Sequence, residues 1–565
     1  MIYLGIHNSV ESGAALVIDG EIIGAVHEER FTRQKNCSGW PRYSMEYLLD
    51  VAGITMEDID TVVYGMLEGV EPNAEVSRAL EQRVAEGLAE TPDLAVKFDE
   101  RVQSEIAWNL RHTDEFLGCL RELGAEKKLK NIDHHCSHAA GAYYGSGFDE
   151  AIVFTCDGKG GFKSSSVWSG KNGRLEQISF RTTFDSAGYF YGNITRALGF
   201  KSERHEGKIT GLAAYGNPST FRHVTDEMLC LRNGSIYGKL GEYYLPWFCD
   251  KSSLPKLFEA AEKADREDVA AAAQATLEEV VCGWVRGSLE QHAPGESRHV
   301  ALAGGVFANV KLNQRIRELP NVRDVYVFPA MGDGGIPLGG IFAQMAADSN
   351  PFRGPLESVY LGPSFTQNQA EQALRKRGYA FSRPHSPART LKELFEAGVP
   401  VGFFQGRMEY GPRALCNRSI LYHAKDPSVN DWLNKRLNRS EFMPFAPVTT
   451  AELAPRCFKG WKPSDPAADF MTMTYDCSDE FLHSAPASIH VDGTARPQVV
   501  RKDRNAVFHA LLSDYLKSSG DLAIINTSFN NHEEPIVCTI EDALDSFLIG
   551  NVDALFVEGL LTVRS

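Results

Sequence analysis

No stretch of this sequence approaches the roughly 18 consecutive apolar residues that a membrane-spanning helix needs. The opening residues, MIYLGIHNSVESG, lack the basic start and long apolar core of a secretory leader, and they read as a first β-strand. Positive charge is scarce: 58 Lys and Arg stand against 74 Asp and Glu, a formal net charge of −16. That balance argues against a general nucleic-acid binder, although a local basic groove is still compatible with it. The 11 cysteines include no CxxC pair, so reduced thiols in a cytoplasmic protein are expected. Low-complexity segments and short-period repeats are also missing.

What is present describes an ordinary globular chain. Its 565 residues exceed one domain, with 43% hydrophobic and 23% charged residues and 50 glycines. Residues 1–30 read as strand, turn, strand, turn, strand, with Asp19-Gly20 as a hairpin signal. Residues 151–180 repeat the theme: a buried strand ends in Asp157-Gly158, and a hairpin surrounds Asn172-Gly173. The repetition predicts a duplicated fold. A mostly helical stretch is expected over about 73–128 and a helix over 266–291, followed by two strand, Gly-rich turn, helix units (299–313 and 325–347). Such alternation predicts an α/β domain, with ligands at the carboxyl ends of strands. An irregular run near 348–362 marks a boundary, giving domains 1–350 and 355–565.

Four motifs can carry chemistry. In Asp133-His134-His135-Cys136-Ser137-His138, His134 and His138 share a helix face, which suits two imidazoles on one metal or two buried or capping histidines. Asp157 and Asp333, each followed by Gly at a strand end, are further ligands or simple turn residues. A His2Asp2 set suits Fe(II), Mn(II) or Zn(II). Gly304-Gly305, five residues before Asn309, either lets a nucleotide approach the backbone or makes a tight turn. The run 206–216, EGKITGLAAYG, lines a ligand or serves packing. The fourth motif, QGRMEYGPRALCNRS (405–419), is followed by Arg439, Arg496 and NTSFNN (526–531). It offers arginine forks and amides for phosphate or carboxylate, or else solvated arginines.

Taken together, these motifs resemble the NodU/CmcH family of ATP-dependent O-carbamoyltransferases, the family of the nodulation-factor, cephalosporin and tobramycin carbamoyltransferases. The resemblance covers nearly the whole chain. It rests on EERFTRQK (28–35), DHHCSHAAGAYYGSGF (133–148), EGKITGLAAYG (206–216), LAGGVFANVKLN (302–313), FPAMGDGG (328–335), GRMEYGPRAL with NRSIL (406–421), FMPFAP (442–447) and NTSFNNHEEPIV (526–537).

The resemblance implies an α/β fold in two domains. One is an N-terminal duplicated actin/Hsp70-like (TsaD-like) domain with the metal and nucleotide site, and the other a C-terminal YrdC-like domain that forms carbamoyl adenylate. It implies ATP and carbamoyl phosphate as substrates, Mg(II) with ATP, and a divalent metal, iron, on His134, His138, Asp157 and Asp333. By the same route Gly304, Gly305, Asn309 and Gly207 meet the nucleotide, while Arg413, Arg439, Arg496 and Ser528 hold carbamoyl phosphate. His7 and the less favoured Asp250, with Arg413, are the catalytic candidates. Cys416 stands where many members have Gly, Asn438 where some place a basic residue, and His7-Asn8 where His-Asp is common. The expected partner is a small-molecule hydroxyl acceptor such as an antibiotic or sugar. No nucleic acid and no membrane are expected, and a homodimer is left open. A regulatory ATPase of the actin/Hsp70 class and a tRNA-modifying carbamoyltransferase are the alternatives. The arginine-rich second domain disfavours the first, and the net charge disfavours the second.

Overall fold

The computed structural model describes residues 1–65, 71–292, 294–295, 297–438, 443–531 and 533–564. It divides into two compact units, Met1–Ile23 with Ser38–Leu356, and Gly24–Cys37 with Glu357–Ser565. The second unit therefore includes residues 24–37, a segment that the sequence reading leaves in the N-terminal domain.

The first unit is built on two five-stranded sheets. In one, β1 (Ile2–His7), β2 (Gly13–Ile18), β3 (Glu21–His27, of which residues 21–23 fall in this unit), β4 (Thr61–Tyr64) and β5 (Leu129–Asn131) lie in the order β3-β2-β1-β4-β5. In the other, β6 (Glu150–Gly160), β7 (Lys163–Lys171) and β8 (Arg174–Thr182) pair antiparallel. A separate hairpin, β9 (Leu229–Arg232) with β10 (Ser235–Gly238), intervenes before β11 (Arg298–Ala303) and β12 (Val322–Val327) complete the order β12-β11-β6-β7-β8. The central strand β1 is antiparallel to β2 and parallel to β4, just as β6 is antiparallel to β7 and parallel to β11. The duplication expected from sequence is thus a repeated sheet topology.

Both hairpin signals form. Asp19 and Gly20 have φ of 51° and 87°, and Asn172 and Gly173 have 53° and 74°. Positive φ at both central residues is the primed turn that matches strand twist. The helical stretch forms as two helices, Ala74–Glu90 and Ala95–Glu122, separated by a short 3-10 turn that begins at Pro92, which has no N–H for an α-helical ladder. The helix expected over 266–291 forms as Arg266–His292. Among the described residues, no helix is long and apolar enough to cross a membrane.

The second unit holds a mixed seven-stranded sheet. Its strands are β13 (Val401–Phe404), β14 (Arg418–His423), β15 (Ala446–Thr450), β18 (Gln498–Val500), β19 (Ile524–Ser528), β20 (Ala554–Val557) and β21 (Leu560–Val563). They lie in the order β18-β15-β19-β14-β13-β20-β21, while β16 (Tyr475–Asp476) and β17 (Thr494–Ala495) make a ribbon of their own.

The loop before β14 is wound around one carboxylate. Glu409 Oε1 accepts from the amides of Leu415 (2.7 Å), Asn417 (2.7 Å) and Arg418 (3.1 Å). The winding forces Cys416 to φ 76°, a left-handed conformation, with its buried thiol 3.0 Å from Gln498 Oε1. Such backbone strain at a non-glycine residue costs on the order of 1–3 kcal/mol. In Cys416→Gly, strain relief offsets the lost thiol contact, so stability should change by less than about 1 kcal/mol. Cys416→Val adds a β-branched side chain in the same conformation and should cost about 2 kcal/mol. Thermal unfolding of the two variants against the parent chain measures both.

Candidate functional site

Helix His134–Ser146 starts at Asp133, whose Oδ1 accepts from Cys136 N at 2.6 Å and whose Oδ2 is held by Lys163 Nζ at 2.7 Å. The cap makes His134 the first helical residue, so His138 lies one turn below it on the same face. Both imidazoles are buried, and their Nε2 atoms stand 3.1 Å apart. Asp157 reaches them from β6. The pairing of β6 with β7 breaks between Cys156 and Gly160, and the irregularity carries Asp157 out of the ladder. Asp333 comes from the turn that precedes helix Ile336–Ala347.

His138 Nε2 lies 3.2 Å from Asp157 Oδ2 and 3.4 Å from Asp333 Oδ1, and His134 Nε2 lies 3.7 Å and 3.6 Å from the same atoms. All four donor atoms fall within 4.8 Å of one another. Ligand atoms about 2.1 Å from a divalent metal stand roughly 3.0 Å apart along an octahedral edge and about 3.4 Å along a tetrahedral one. Asp157 Oδ2 is buried without a hydrogen-bond donor. The donor set and its spacing therefore fit a divalent cation.

The electrostatics agree. Burial opposes a proton on His138, yet Asp157 and Asp333 outweigh it and hold that imidazole up at about 9. Burial likewise opposes charge on Asp157, but the two histidines keep its carboxyl well below the usual range. Two carboxylates packed together thus draw positive charge to this spot. His135 takes no part: burial, helped by His134, pushes it down to about 3, and its Nδ1 bonds Thr155 Oγ1 at 2.7 Å. His7, at the end of β1, lies 3.9 Å from Asp333 Oδ2. Its Nε2 donates to Val10 O at 2.8 Å, its Nδ1 has no partner, and burial pushes its pKa down to about 4. Lys159, which the sequence reading missed, bonds the buried Glu105 at 3.0 Å and ties helix Ala95–Glu122 to the strand that carries Asp157.

The Gly304-Gly305 turn sits against the same cluster. Gly304 has φ 103°, and a side chain there would run into the carbonyl of Cys156. A methyl group on Gly305 would come within 3.2 Å of Asp157 Oδ1. Asn309 caps the helix Val310–Arg317 through Leu312 N at 3.1 Å. Its amide also pairs with that of Gln274, Nδ2 to Oε1 at 2.8 Å and Nε2 to Oδ1 at 3.2 Å, and reaches Thr210 Oγ1 at 3.3 Å. The Asn309 side chain thus spends its bonds on holding the turn. Gly207, in helix Glu206–Leu212, has no atom within 4 Å of where a side chain would begin, so a ligand has room there. Asp250 lies in an exposed turn, where Ser252 and Ser253 bond its carboxylate and hold its pKa at about 2.

In the second unit, three of the four predicted anion contacts fall on segments joined by one amide. Asn526 Nδ2 donates to Ala414 O and to Gln498 Oε1, each at 3.0 Å. Arg413 precedes the first of these partners by one residue, Arg496 precedes the second by two, and Ser528 follows Asn526 by two on β19. Arg413, Arg496 and Ser528 are all half-buried. Arg439, the fourth, lies outside the described residues. The neighbouring arginines serve the loop itself. Arg418, fully buried, donates to the carbonyls of Gln405, Asn417, Pro363 and Gly406, and Arg407 donates to those of Leu361 and Gly362.

Comparison with known proteins gives these sites their context. The family profile "Carbamoyltransferase N-terminus" matches residues 3–342, and "Carbamoyltransferase C-terminus" matches residues 392–564. The chain belongs to the carbamoyltransferase family, which supports carbamoyl transfer as its function. It is 31% identical to the nodulation protein NolNO of Sinorhizobium fredii, over 98% of this chain and 78% of that protein. It is 34% identical to an uncharacterized protein of Methanocaldococcus jannaschii, over 79% and 77%. Among solved structures, T. kodakarensis HypF aligns with 63% of this chain and 49% of its own, at 12% identity and a TM-score of 0.32. Component A of the Acidaminococcus fermentans (R)-2-hydroxyglutaryl-CoA dehydratase aligns with 61% and 99%, at 16% identity and 0.34.

Loss of one of four ligands should weaken metal binding beyond the roughly 10–100-fold that loss of an outer hydrogen-bond partner costs. Titration of Fe(II), Mn(II) or Zn(II) into chelator-stripped protein should show one site per chain. His138→Ala and Asp333→Asn should each lose it, whereas His135→Gln should retain it.

Proposed function

We propose that this protein is an ATP-dependent O-carbamoyltransferase working through carbamoyl adenylate. The observation that carries the reading is the shared position of Asp157, which belongs to the His134–His138–Asp333 cluster and also faces the Gly304–Gly305 turn. A cation site and a backbone able to admit a nucleotide phosphate are thus adjacent, in a chain whose family transfers carbamoyl groups. The repeated five-stranded sheets support an actin/Hsp70-type first domain, and the seven-stranded mixed sheet is read as its YrdC-like partner.

In the second unit, Arg413, Arg496 and Ser528, with Arg439, hold carbamoyl phosphate. Its hydrolysis releases inorganic phosphate and carbamate. A carbamate oxygen then attacks the α-phosphorus of ATP, pyrophosphate leaves, and carbamoyl adenylate remains. Arginine forks hold these phosphates in bidentate fashion where water must be limited.

In the first unit, the acceptor hydroxyl attacks the carbamoyl carbon, its proton passes to a base, and AMP departs. His134, His138, Asp157 and Asp333 hold the divalent metal, which we take to be iron; when bound it supplies charge neutralisation and carbonyl polarisation. His7 is the base in this reading. Its Nε2–H is committed to Val10 O, so Nδ1 keeps the free lone pair. Asp250, with its carboxylate engaged in its own turn and its pKa at about 2, is a poor proton acceptor.

Full-length protein given ATP and carbamoyl phosphate should release pyrophosphate and phosphate, and a screen of hydroxyl compounds should yield products heavier by one carbamoyl group. Arg413→Ala should abolish carbamoyl-phosphate-dependent pyrophosphate release. His138→Ala should keep that release and lose transfer. Pyrophosphate release by Arg413→Ala at the parental rate would refute the pocket.

A further inference from the structure

The motif EERFTRQK (28–35) has no role in the reading above, yet it lies in the one N-terminal segment that belongs to the second unit. Its residues grip three parts of that unit in succession. Ala25 N donates to Leu361 O at 3.2 Å, and the His27 ring meets Tyr410 edge-on, with centroids 5.2 Å apart. Arg30 is 3% exposed; its Nη2 donates to Gly411 O at 2.9 Å while its Nη1 is held by Glu29 Oε1 at 2.9 Å. Phe31 packs against the cluster of Met408, Ala414, Ile536 and Cys538. Arg33 Nη1 and Nη2 donate to Ile536 O and Pro535 O at 2.8 and 2.7 Å.

These are the loops that carry the proposed anion contacts. Gly411 O is anchored two residues before Arg413, and the Pro412 ring between them locks one backbone torsion. On the other side, Ala414 O is fixed by Asn526 and Leu415 N by Glu409. Arg413 therefore hangs between two anchors, one of which is a buried charge from the start of the chain. Segment 535–538, gripped by Arg33 and Phe31, closes the loop that leaves Ser528. A buried guanidinium spent on a carbonyl is costly to desolvate, and positioning the loop repays that cost.

We infer that residues 25–33 are a strap that positions the Arg413 and Ser528 loops for carbamoyl phosphate, with Arg30 as the principal positioning residue. The inference rests on the carbamoyl phosphate reading of that pocket. It also means that the fragment 355–565 lacks part of its own unit.

The test uses the full chain and carbamoyl-phosphate-dependent exchange of labelled pyrophosphate into ATP, with metal content and melting temperature recorded for each variant. Displacement of a binding group by about 1 Å costs on the order of 100-fold. Arg30→Met should therefore lower kcat/KM for carbamoyl phosphate by about 10- to 100-fold, mainly through KM, with metal content and KM for ATP nearly unchanged. Arg30→Lys, which can still donate to Gly411 O, should recover part of the loss. If Arg30→Met does not fold, the half-exposed Arg33→Gln decides: a several-fold rise in KM for carbamoyl phosphate supports the strap, and no rise overturns it. Arg413→Ala runs in parallel. Loss of activity there with an unaffected Arg30→Met overturns the strap alone, whereas an unaffected Arg413→Ala overturns the pocket and the strap with it.

Discussion

Two carboxylates packed in a half-buried site need positive charge or a shared proton between them. In the first unit Asp157 and Asp333 set this requirement, and His138, whose imidazole they hold up at about 9, answers it. The surrounding fold supplies the means: a capped helix that begins at the first histidine, a broken ladder that frees one aspartate, and a turn that presents the other. The Gly304–Gly305 turn is drawn to the same spot, where bulk is excluded. Chemistry that handles a charged phosphate and a polarised carbonyl gains most where such charge is already arranged.

The second unit solves a different problem, that of holding flexible arginines in fixed places. One carboxylate, Glu409, organises a loop by accepting three amides, and one amide, Asn526, joins the segments that bear Arg413, Arg496 and Ser528. Two of the three arginines in the motif, Arg407 and Arg418, are consumed by backbone carbonyls. The richness of that motif in arginine is therefore mostly architecture.

Much of this was legible in the sequence because the signals are local. The histidine pair shows as an i,i+4 spacing behind a capping aspartate, and the duplication as two hairpins with Asp-Gly and Asn-Gly turns. The aspartates show as Asp-Gly steps, although neither closes a strand: Asp157 sits at a break within β6 and Asp333 in the turn before helix Ile336–Ala347. Arg30, Glu409, Gln274 and Lys159 were not legible in the same way. Their partners are backbone groups or side chains distant in the chain, and no spacing announces a bond from residue 30 to residue 411 or from residue 105 to residue 159. Asn309 was seen, but its tie to Gln274 depends on a helix lying beside it, which periodicity cannot supply.

The strap has a consequence for how the protein is made. The loops that residues 24–37 grip come from positions 361, 410–411 and 535–536, which are synthesised more than 300 residues later. At about 5–20 residues per second, tens of seconds separate the two events. The first unit can close its sheets during that interval, while Arg30 and Phe31 wait without their burial partners. The second unit therefore closes only after its late loops have emerged, and until then the nascent chain displays an arginine and a phenylalanine without those burial partners, surfaces of the kind that chaperones bind.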